Sequence, residues 1–600
     1  MKKSKLLPLI LLLFSVFSIL SSSAAKADDE VNRAKNTFFS GDIEYEISIP
    51  ASAKKAGQVT VIGAKDKNIK AISIPEEVKN SSYTYTVTKI ADSAFMGYTK
   101  LAKISIPSSI TSLGDSVFVN CDSLEYIAIP DSITSIGSRL FQSCDSLKSV
   151  KLSMNLEQIP DYTFYYCSSL EEISLPDKLK SIGNQAFYNC GSLTEIEIPD
   201  TVTSLGGSVF FGCKGLRKVH LPKALTEIGD STFYGCSSLE NVNIPVNLSY
   251  IPATAFYSCQ SLQSVTIPYG ITYIGRFAFY GCKSLTGLDI PNSVTYIGDS
   301  AFKACTALSA VSLSDKLITL PEYVFSNCIS LKEVIFPDNL QHIGNGAFSN
   351  CGMLSELIIP DTVASIGYNA FEKCSSLENI TLSSSLDKIS SGAFANCGSL
   401  KSITLPDNLK QIEDLAFENC SSLSEVTFNN RLVGIGERAF LNCTSLTLIE
   451  LPDSLVSLGK QAFKGCSSLS QVKMPSNITD IRADVFADTA ITPVYNDGLF
   501  ILDGYLLDGT NASGNIVIPD SVHCIAADAF KNNEQLTGVC IPDTVSCIGM
   551  NEKMGYNSIR LDVFSNNPYA IKLYEKNGYE KRGHADWRKG RFYLMEKTLL

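Results

Sequence analysis

Apolar residues along this chain recur with a period of 23 residues. In one copy the unit reads CDSLEYIAIPDSITSIGSRLFQS, and it starts again at the next cysteine. Cysteine returns at this spacing from Cys121 to Cys466, and a phenylalanine three residues before each cysteine keeps the same phase from Phe95 to Phe486. A fixed period in the low twenties is typical of a solenoid, in which each repeat forms one coil. The pattern therefore predicts a stack of repeats rather than a set of ordinary globular domains.

The columns of the unit predict the elements of one coil. Leu124, Ile127 and Ile129 belong to an LxxIxIP segment, which indicates a short strand. The strand ends at Pro130, because proline cannot extend a hydrogen-bonded ladder. Gly137 marks a turn, and the return leg to the next cysteine carries a phenylalanine and a cysteine that we expect in the core. One coil buries too little apolar surface to offset the entropy of ordering it, so stacking must stabilise the array. The predicted fold is a β-rich solenoid of about eighteen coils with a parallel sheet.

The repeat resembles the unit of BspA-type leucine-rich repeat proteins, which is similar to LxxIxIPxxVTxIGxxAFxxC. The resemblance extends over about residues 90–549, and many columns recur together in one phase. It implies a non-enzymatic protein, secreted or on the cell surface, that mediates adhesion or recognises host or microbial surface proteins or glycans. It implies neither a catalytic site nor a cofactor. A purely structural surface-layer protein is the alternative.

The chain outside the repeat phase predicts further segments. Residues 1–27 look like a secretory signal peptide, with a lysine-rich start, an apolar core and an AKA cleavage site; a membrane anchor is the alternative. No later segment is apolar enough to cross a bilayer, so we expect no membrane span in the mature chain. Residues 28–89 alternate like strands and predict an N-terminal cap over the first coil. Residues 490–514 predict a hairpin-rich insertion with Asp-Gly turns.

From residue 550 the repeat columns end and the composition becomes basic. The stretch GYNSIRLDVFSNNPYAIKLYEKNGYEKRG resembles the C-terminal part of GNAT-family N-acetyltransferases, which predicts a small α/β fragment over residues 550–600. The resemblance implies that Asn567 contacts coenzyme A and that Tyr574 is the general acid. The family's glycine-rich pyrophosphate loop is missing upstream, where the chain reads IPDTVSCIG. A truncated acetyltransferase is thus an alternative function, and an inactive remnant is the preferred interpretation.

Sixteen of the nineteen cysteines occupy one column, so each neighbours its counterparts in the coils above and below. In-register side chains on parallel coils point the same way, which favours buried free thiols over disulfides. Metal sites are a third alternative, but no histidine accompanies the column and no zinc spacing is present, so no metal is predicted. Cys524, Cys540 and Cys547 lie outside the column, and the sequence does not decide whether they pair.

An aromatic column on the return leg is the candidate ligand-binding site. The residue after the column phenylalanine is aromatic in six successive coils. These six residues are Tyr165, Tyr188, Phe211, Tyr234, Tyr257 and Tyr280. Tyr250, Tyr273 and Tyr296 form a second, shorter column just before the turn. Stacked tyrosines are rigid amphipathic contacts found at recognition surfaces, and they offer rings on which a sugar could stack. A local duplication that copied a surface tyrosine is the alternative.

The outward positions of the strand carry mixed charge, for example Glu195, Glu197, Lys218 and His220. Paired carboxylates are the groups that cleave glycosidic bonds, but nothing else in the sequence supports that chemistry, and a solvated face is the simpler interpretation. The formal net charge of −11 argues against a nucleic-acid partner. Recognition outside the cell, which the BspA-type resemblance implies, is therefore the preferred expectation over catalysis.

Overall fold

The computed structural model describes residues 36–492, 495–549, 558–564, 571–572, 575–576, 580–587 and 590–598. These residues form two compact units, one that ends at Gly270 and one that begins at Ile271. Both units are built from the same coil, in which the regular structure is β-strand. The predicted β-rich solenoid with parallel strands is confirmed.

Two predictions concern membranes and export. Within the ranges given above, no helical segment combines the length and the apolar character that crossing a bilayer requires. The predicted signal peptide, residues 1–27, lies outside the described residues. Export therefore stays a prediction.

Each coil contains two short strands, which we call the face strand and the turn strand. In the coil of Cys121, the face strand is Tyr126–Ala128 and the turn strand is Ser135–Ile136. The face strand exposes its first and third residues and buries the second, as the alternation in LxxIxIP predicts. The sequence pattern gives no sign of the turn strand, because two residues are too few for an alternating signal.

Where strands of the same kind pair between neighbouring coils, they do so in parallel and in register, in several short sheets rather than one continuous sheet. In the face strands, Ser149 pairs with Tyr126 and Lys151 pairs with Ala128. In the turn strands, Ile136 pairs with Leu113. The offset between these partners equals the sequence period of 23 residues. A residue type that recurs in the sequence therefore lies beside its own copy in the fold.

The strands of the first unit follow this order. The face strands are Ala71–Ser73, Lys103–Ser105, Tyr126–Ala128, Ser149–Lys151, Glu172–Ser174, Glu195–Glu197, Lys218–His220, Asn241–Asn243 and Ser264–Thr266. The turn strands are Ser112–Leu113, Ser135–Ile136, Gln158–Ile159, Ser181–Ile182, Ser204–Leu205, Glu227–Ile228 and Tyr250–Ile251.

The second unit repeats the arrangement. Its face strands are Gly287–Asp289, Ala310–Ser312, Glu333–Ile335, Glu356–Ile358, Asn379–Thr381, Ser402–Thr404, Glu425–Thr427, Leu448–Glu450 and Gln471–Lys473. Its turn strands are Tyr273–Ile274, Tyr296–Ile297, Thr319–Leu320, His342–Ile343, Ser365–Ile366, Lys388–Ile389, Gln411–Ile412, Gly434–Ile435, Ser457–Leu458 and Asp480–Ile481.

The return leg consists of tight turns. In the coil before Cys121, Ser116 and Asn120 both have a φ of 58°. This left-handed conformation favours Asn and Gly, which recur immediately before the column cysteine. The backbone N–H of Phe118 donates to the carbonyl oxygen of Leu140 at 2.9 Å, and that of Asn120 donates to the carbonyl oxygen of Gln142 at 2.9 Å. The return leg is thus hydrogen-bonded from coil to coil, as the strands are.

Phenylalanine and cysteine columns fill the core of the coils. Neighbouring phenylalanines stack: the ring centroids of Phe118 and Phe141 are 5.5 Å apart and their planes differ by 6°. The thiol of Cys144 donates to the carbonyl oxygen of Phe118 at 3.0 Å, and this contact recurs along the column. The sixteen column cysteines are buried and free, which confirms the predicted buried thiols.

A mixed sheet precedes the first coil. Its strands are Thr37–Ser40, Ile43–Ile49, Gly57–Ala64, Glu77–Asn80 and Tyr83–Ile90. The last of these pairs in parallel with the turn strand Ser112–Leu113, so the sheet continues into the coils. Tyr98 occupies the cysteine column here, and its hydroxyl donates to the carbonyl oxygen of Ala64 at 2.9 Å. The role of residues 28–89 as a cap, and the other predicted domain bounds, stay predictions.

Residues 495–508 interrupt the repeat with two hairpin turns. The strands Tyr495–Asn496, Leu499–Leu502 and Tyr505–Asp508 pair antiparallel in that order. Both residues of each Asp-Gly pair, 497–498 and 503–504, have positive φ, as a tight hairpin turn requires. Tyr505–Asp508 then pairs in parallel with the next turn strand. The strands that follow are Gly514–Val517, Cys524–Ile525, Leu536–Cys540 and Cys547–Ile548.

The expected small α/β fragment at residues 550–600 is not supported. The strands Ser558–Phe564, Glu580–Trp587 and Gly590–Thr598 extend the sheet of the last coils, where the first of them pairs in parallel with Leu536–Cys540. The described helical residues of this segment are limited to 571–572 and 575–576. The physical reason is the open edge of the last face-type strand, which pairs with the next strand of the chain.

We predict that Phe187→Ala lowers the free energy of unfolding by about 3–5 kcal/mol, because it removes a fully buried ring. This ring stacks on Phe164 at 5.1 Å and on Phe210 at 5.5 Å. Denaturant unfolding followed by circular dichroism measures the change. Ser192→Ala, at an exposed position of the next coil, is the control, and we expect it to change stability by less than about 0.5 kcal/mol. Equal losses in the two variants would contradict a core of stacked rings.

A second prediction concerns the thiols. Burial raises the pKa of Cys213 and Cys305 to about 12, so these thiols stay protonated and unreactive at neutral pH. We predict that the native protein reacts rapidly at one cysteine, the exposed Cys540, and that all nineteen react after denaturation. Titration with a chromogenic aromatic disulfide gives both counts. In the Cys540→Ser control the native count should fall to zero, and a count well below nineteen in denatured wild-type protein would reveal disulfides.

Candidate functional site

The predicted aromatic column forms a stack of rings in the first unit. We call Tyr165, Tyr188, Phe211, Tyr234 and Tyr257 the aromatic ladder. Ring centroids are 4.9 Å apart between the first two residues, 4.5 Å between Tyr188 and Phe211, and 4.4 Å along the rest of the ladder. From Phe211 onward, neighbouring planes differ by only 2°. The structure thus brings five of the six predicted residues together in one unit.

The sixth predicted residue, Tyr280, belongs to the second unit. Its ring meets the ring of Phe277 edge to face, with centroids 5.9 Å apart. The guanidinium of Arg276 lies 4.6 Å from the centroid of the Phe277 ring. The use of all six residues as a binding site stays a prediction.

The repeat itself builds the ladder. The column phenylalanine enters the core on the return leg, so the residue after it comes to the surface and is half-buried. In-register backbone hydrogen bonds then place each of these residues beside its counterpart in the next coil; for example, the N–H of Asn189 donates to the carbonyl oxygen of Phe211 at 2.7 Å. Five aromatic residues in consecutive coils consequently become one stack.

The ladder rings cover each other's faces, and this decides what the ladder can bind. Parallel planes with centroids 4.4–4.9 Å apart are in direct contact, so no sugar ring fits between them. The interior rings, Tyr188, Phe211 and Tyr234, have a stacked neighbour on both faces, so what they leave to solvent is their edge. A partner therefore contacts a row of ring edges and tyrosine hydroxyls. A sugar cannot stack on the face of an interior ring, because neighbouring rings already cover it.

Two further tyrosines extend the ladder at Tyr165. The ring of Tyr162 meets that of Tyr165 edge to face at 5.5 Å, and the ring of Tyr166 does so at 4.7 Å. The guanidinium of Arg139 lies 4.8 Å from the centroid of the Tyr162 ring, a cation–π contact. Sequence analysis missed Tyr162 and Tyr166 because they occupy other columns. The signal was the run YTFYY itself, which places three tyrosines on one tight return leg.

Burial raises the pKa of the Tyr165 and Tyr188 phenols above the ordinary value. Neighbouring phenols contribute in the same direction, with Tyr166 and Tyr162 acting on Tyr165 and with Tyr166, Tyr165 and Tyr234 acting on Tyr188. The ladder hydroxyls near this end therefore stay protonated through neutral pH and act as hydrogen-bond donors as well as acceptors.

The second aromatic column is shorter and more open. Tyr273 and Tyr296 stack with centroids 5.0 Å apart and planes 2° apart in the second unit. Tyr250 belongs to the first unit, where it is the first residue of the turn strand Tyr250–Ile251 and is exposed. These residues provide a matched set of exposed tyrosines against which the ladder can be compared.

The charged residues of the face strands are arranged as a solvated surface. Glu195 pairs in register with Lys218, and Glu197 pairs in register with His220. All four residues are exposed. Each carboxylate thus lies beside a basic side chain of the next coil, which fits a mixed-charge face.

The sequence raised two other kinds of site, a metal site and an acetyltransferase site. In the residues that the structure describes, no group of three or more His, Cys, Asp or Glu side chains could hold a metal ion. The residues that the acetyltransferase resemblance singled out, Asn567 and Tyr574, lie outside the described part of the chain.

Comparison with known proteins identifies the family. The profile of the BspA type leucine-rich repeat region matches six copies, over residues 65–191, 180–309, 305–414, 387–499 and 502–560. These matches cover most of the chain, and the protein belongs to the BspA-type leucine-rich repeat family. The last match extends to residue 560, inside the tail, and the comparisons give no support to the acetyltransferase resemblance there. A search of the curated proteins found no match.

Solved structures include similar leucine-rich repeat proteins. One from Bacteroides ovatus is 30% identical, with a TM-score of 0.50, and the match covers 70% of this chain and 95% of that one. A leucine-rich cell surface protein from Faecalibacterium prausnitzii is 25% identical, with a TM-score of 0.32 and coverage of 76% and 98%. The first of these similarities supports the fold and the family together.

We predict that Tyr165 and Tyr188 ionise above the ordinary tyrosine range of about 10 in the native protein, and within that range after denaturation. The phenolate absorbance lost in a Tyr165→Phe, Tyr188→Phe variant, relative to wild type, gives both titrations. Because the folded-state pKa is the higher one, the two residues contribute stability that is complete below the unfolded pKa and is lost as pH rises through the folded pKa. Identical native and denatured titrations would contradict the buried stack.

Proposed function

We propose that this protein is a secreted or cell-surface recognition protein that mediates adhesion, and that the aromatic ladder is its contact surface for a partner protein. The observation that carries the proposal is the stack itself. Five half-buried rings lie in consecutive coils with centroids 4.4–4.9 Å apart, and the three interior rings are covered on both faces. Tyr162 and Tyr166 enlarge this surface at one end.

The energetics of association favour such a surface. Side chains that are mobile before binding lose about 0.5–1.5 kcal/mol of entropy each when an interface immobilises them. The ladder rings are already held by their neighbours in the folded protein. Most of their side-chain entropy is therefore lost on folding and little is lost on binding. Tyrosine is also enriched among the residues that dominate binding energy, because it combines a large apolar ring with a hydroxyl.

The covered ring faces favour a protein as the partner of the ladder. Ring edges and hydroxyls suit aliphatic side chains and backbone carbonyl groups, whereas a sugar binds an aromatic residue chiefly through the open face of the ring. Host or microbial surface proteins are the partner class that this surface fits. Glycans remain partners for other parts of the molecule.

Two features support a location outside the cell. Residues 1–27 have the lysine-rich start, apolar core and small-residue cleavage site of a secretory signal peptide. The BspA-type resemblance carries the same implication. Nineteen cysteines without a disulfide need explanation in an exported protein, and burial supplies it for all but the exposed Cys540, because buried and protonated thiols do not oxidise readily.

The test is binding of the purified protein to extracellular-matrix proteins, a glycan array and whole cells. In the variant with Tyr188, Tyr234 and Tyr257 changed to Ser, we expect affinity for the protein partner to fall at least tenfold, about 1.4 kcal/mol. The matched control carries Tyr250, Tyr273 and Tyr296 changed to Ser and should bind as wild type does. Thermal unfolding must show that both variants are folded.

Three results would count against the proposal. Equal binding by wild type and the ladder variant would remove the ladder as the site. Equal loss in both variants would indicate a general loss of structure or surface polarity. No saturable binding to any of the three target classes, together with self-assembly of the pure protein, would favour a structural surface-layer protein instead.

A further inference from the structure

One exposed tyrosine on the face strands differs from the ladder tyrosines in its surroundings. Tyr126 is 53% exposed and occupies the first position of its face strand. Its counterpart in the next coil is Ser149, and its counterpart in the coil before is Lys103. Neither of these is aromatic, and within the described residues Tyr126 makes no ring–ring contact. Unlike the rings of the ladder, its ring therefore has no aromatic neighbour that covers its face.

This tyrosine lines a cleft of about 330 Å³ on the face strands of the first unit. The cleft is also lined by Ser105, Ala128, Asp131 and Lys151. The small side chains at the third position of the face strand, Ser105 and Ala128, leave space for this depression. Larger residues, Lys, Glu, His or Ile, occupy the same position in several other coils.

The two charged groups of the cleft, Asp131 and Lys151, keep hydrogen-bonding capacity for a ligand. Asp131 Oδ1 accepts a hydrogen bond from the backbone N–H of Met154 at 2.9 Å, which orients the carboxylate. In the described part of the chain, no hydrogen bond of the other oxygen, Oδ2, is found. Lys151 has no ion pair in that part either. The nearby Glu125 does have one, because its Oε2 lies 3.3 Å from Nζ of Lys148. The cleft thus offers an oriented acceptor and an unpaired cation.

From this combination we infer that the cleft binds a carboxylate-bearing sugar residue of an acidic glycan. The ring of Tyr126, which is exposed and without an aromatic neighbour, is the platform on which the apolar face of a sugar ring stacks. Asp131 accepts hydrogen bonds from sugar hydroxyls, and Lys151 pairs with the carboxylate of the ligand. Lys103, one coil before Tyr126, adds a second positive charge near the cleft.

The dimensions agree with a small saccharide. Small-molecule sites occupy roughly 300–1,000 Å³, and the cleft lies at the lower end of that range, which suits one or two sugar rings. The cleft is a second site, formed by face strands rather than by the return leg. Failure of this inference would leave the ladder proposal untouched, and the reverse also holds.

The experiment compares a matched pair of probes, sialyllactose and lactose, which share the neutral disaccharide and differ in the acidic sugar. A tetrasaccharide that contains glucuronate serves as a second acidic probe. Binding to the purified protein is measured by saturation-transfer NMR and by titration calorimetry at low and at moderate salt. We expect at least one acidic probe to bind at least tenfold more tightly than lactose, and this preference should weaken as salt rises.

Three variants locate the site. Tyr126→Ala should reduce binding of the acidic probe at least tenfold. Lys151→Gln should abolish the preference over lactose while it leaves stacking intact. Tyr269→Ala, at an exposed tyrosine outside the cleft, is the matched control and should bind as wild type does. All three residues are exposed, so we expect the folds of the variants to match that of wild type by thermal unfolding.

Each contrary outcome overturns a defined part of the inference. If neither acidic probe binds the wild-type protein, the cleft is not an acidic-sugar site. If Tyr126→Ala binds as wild type does, the site lies elsewhere. If lactose binds as tightly as sialyllactose, the assignment of the ligand's charge is wrong. If an acidic peptide competes for the cleft and no saccharide does, the ligand is a protein segment and the sugar assignment fails.

Discussion

In-register stacking of coils at a 23-residue offset is the constraint on which the rest of this structure depends. A single coil buries too little apolar surface to fold, so each coil is stable only against its neighbours. The return leg enforces the same register as the strands, because its N–H groups also donate to the next coil, as Phe118 does to Leu140. The phenylalanine stack and the thiol–carbonyl contacts of the cysteine column follow from that register.

The same register determines what the surface can do. A residue that recurs on the surface becomes a column, and aromatic residues in a column stack on one another, as the ladder from Tyr165 to Tyr257 does. When an aromatic residue recurs in successive coils, the stacked rings cover each other's faces and leave their edges accessible. A residue that occurs once has the opposite effect. Ala128 leaves space between its neighbours, and Tyr126 beside it keeps a ring without an aromatic neighbour at a cleft. The two proposed sites differ accordingly, because the ladder consists of recurring residues and the cleft includes residues that occur once in their columns.

The segments before and after the regular coils form strands that pair with the edge strands of the coil sheets. The strand Tyr83–Ile90 pairs with a turn strand of the first coils, and Ser558–Phe564 pairs with Leu536–Cys540. An unpaired strand edge offers hydrogen-bonding groups to whatever chain follows it. The tail shows that a short sequence motif is not sufficient to predict a fold. An acetyltransferase-like fragment was expected from a short motif at residues 550–600, and neither the fold nor the comparisons support it. A local motif does not determine which sheet a strand joins, and the described strands of this segment join that of the last coils.

The sequence by itself determined the period, the face strands, the buried phenylalanine and cysteine columns and the membership of the ladder. All of these depend on which residues recur at 23-residue spacing, and recurrence is visible without coordinates. The tertiary structure decided the turn strands, the contacts of Tyr162 and Tyr166, the covered faces of the ladder rings and the cleft beside Tyr126. These features depend on ring orientation and on unfilled space between side chains of neighbouring coils. Periodicity specifies which residues are neighbours, and only packing specifies how they touch.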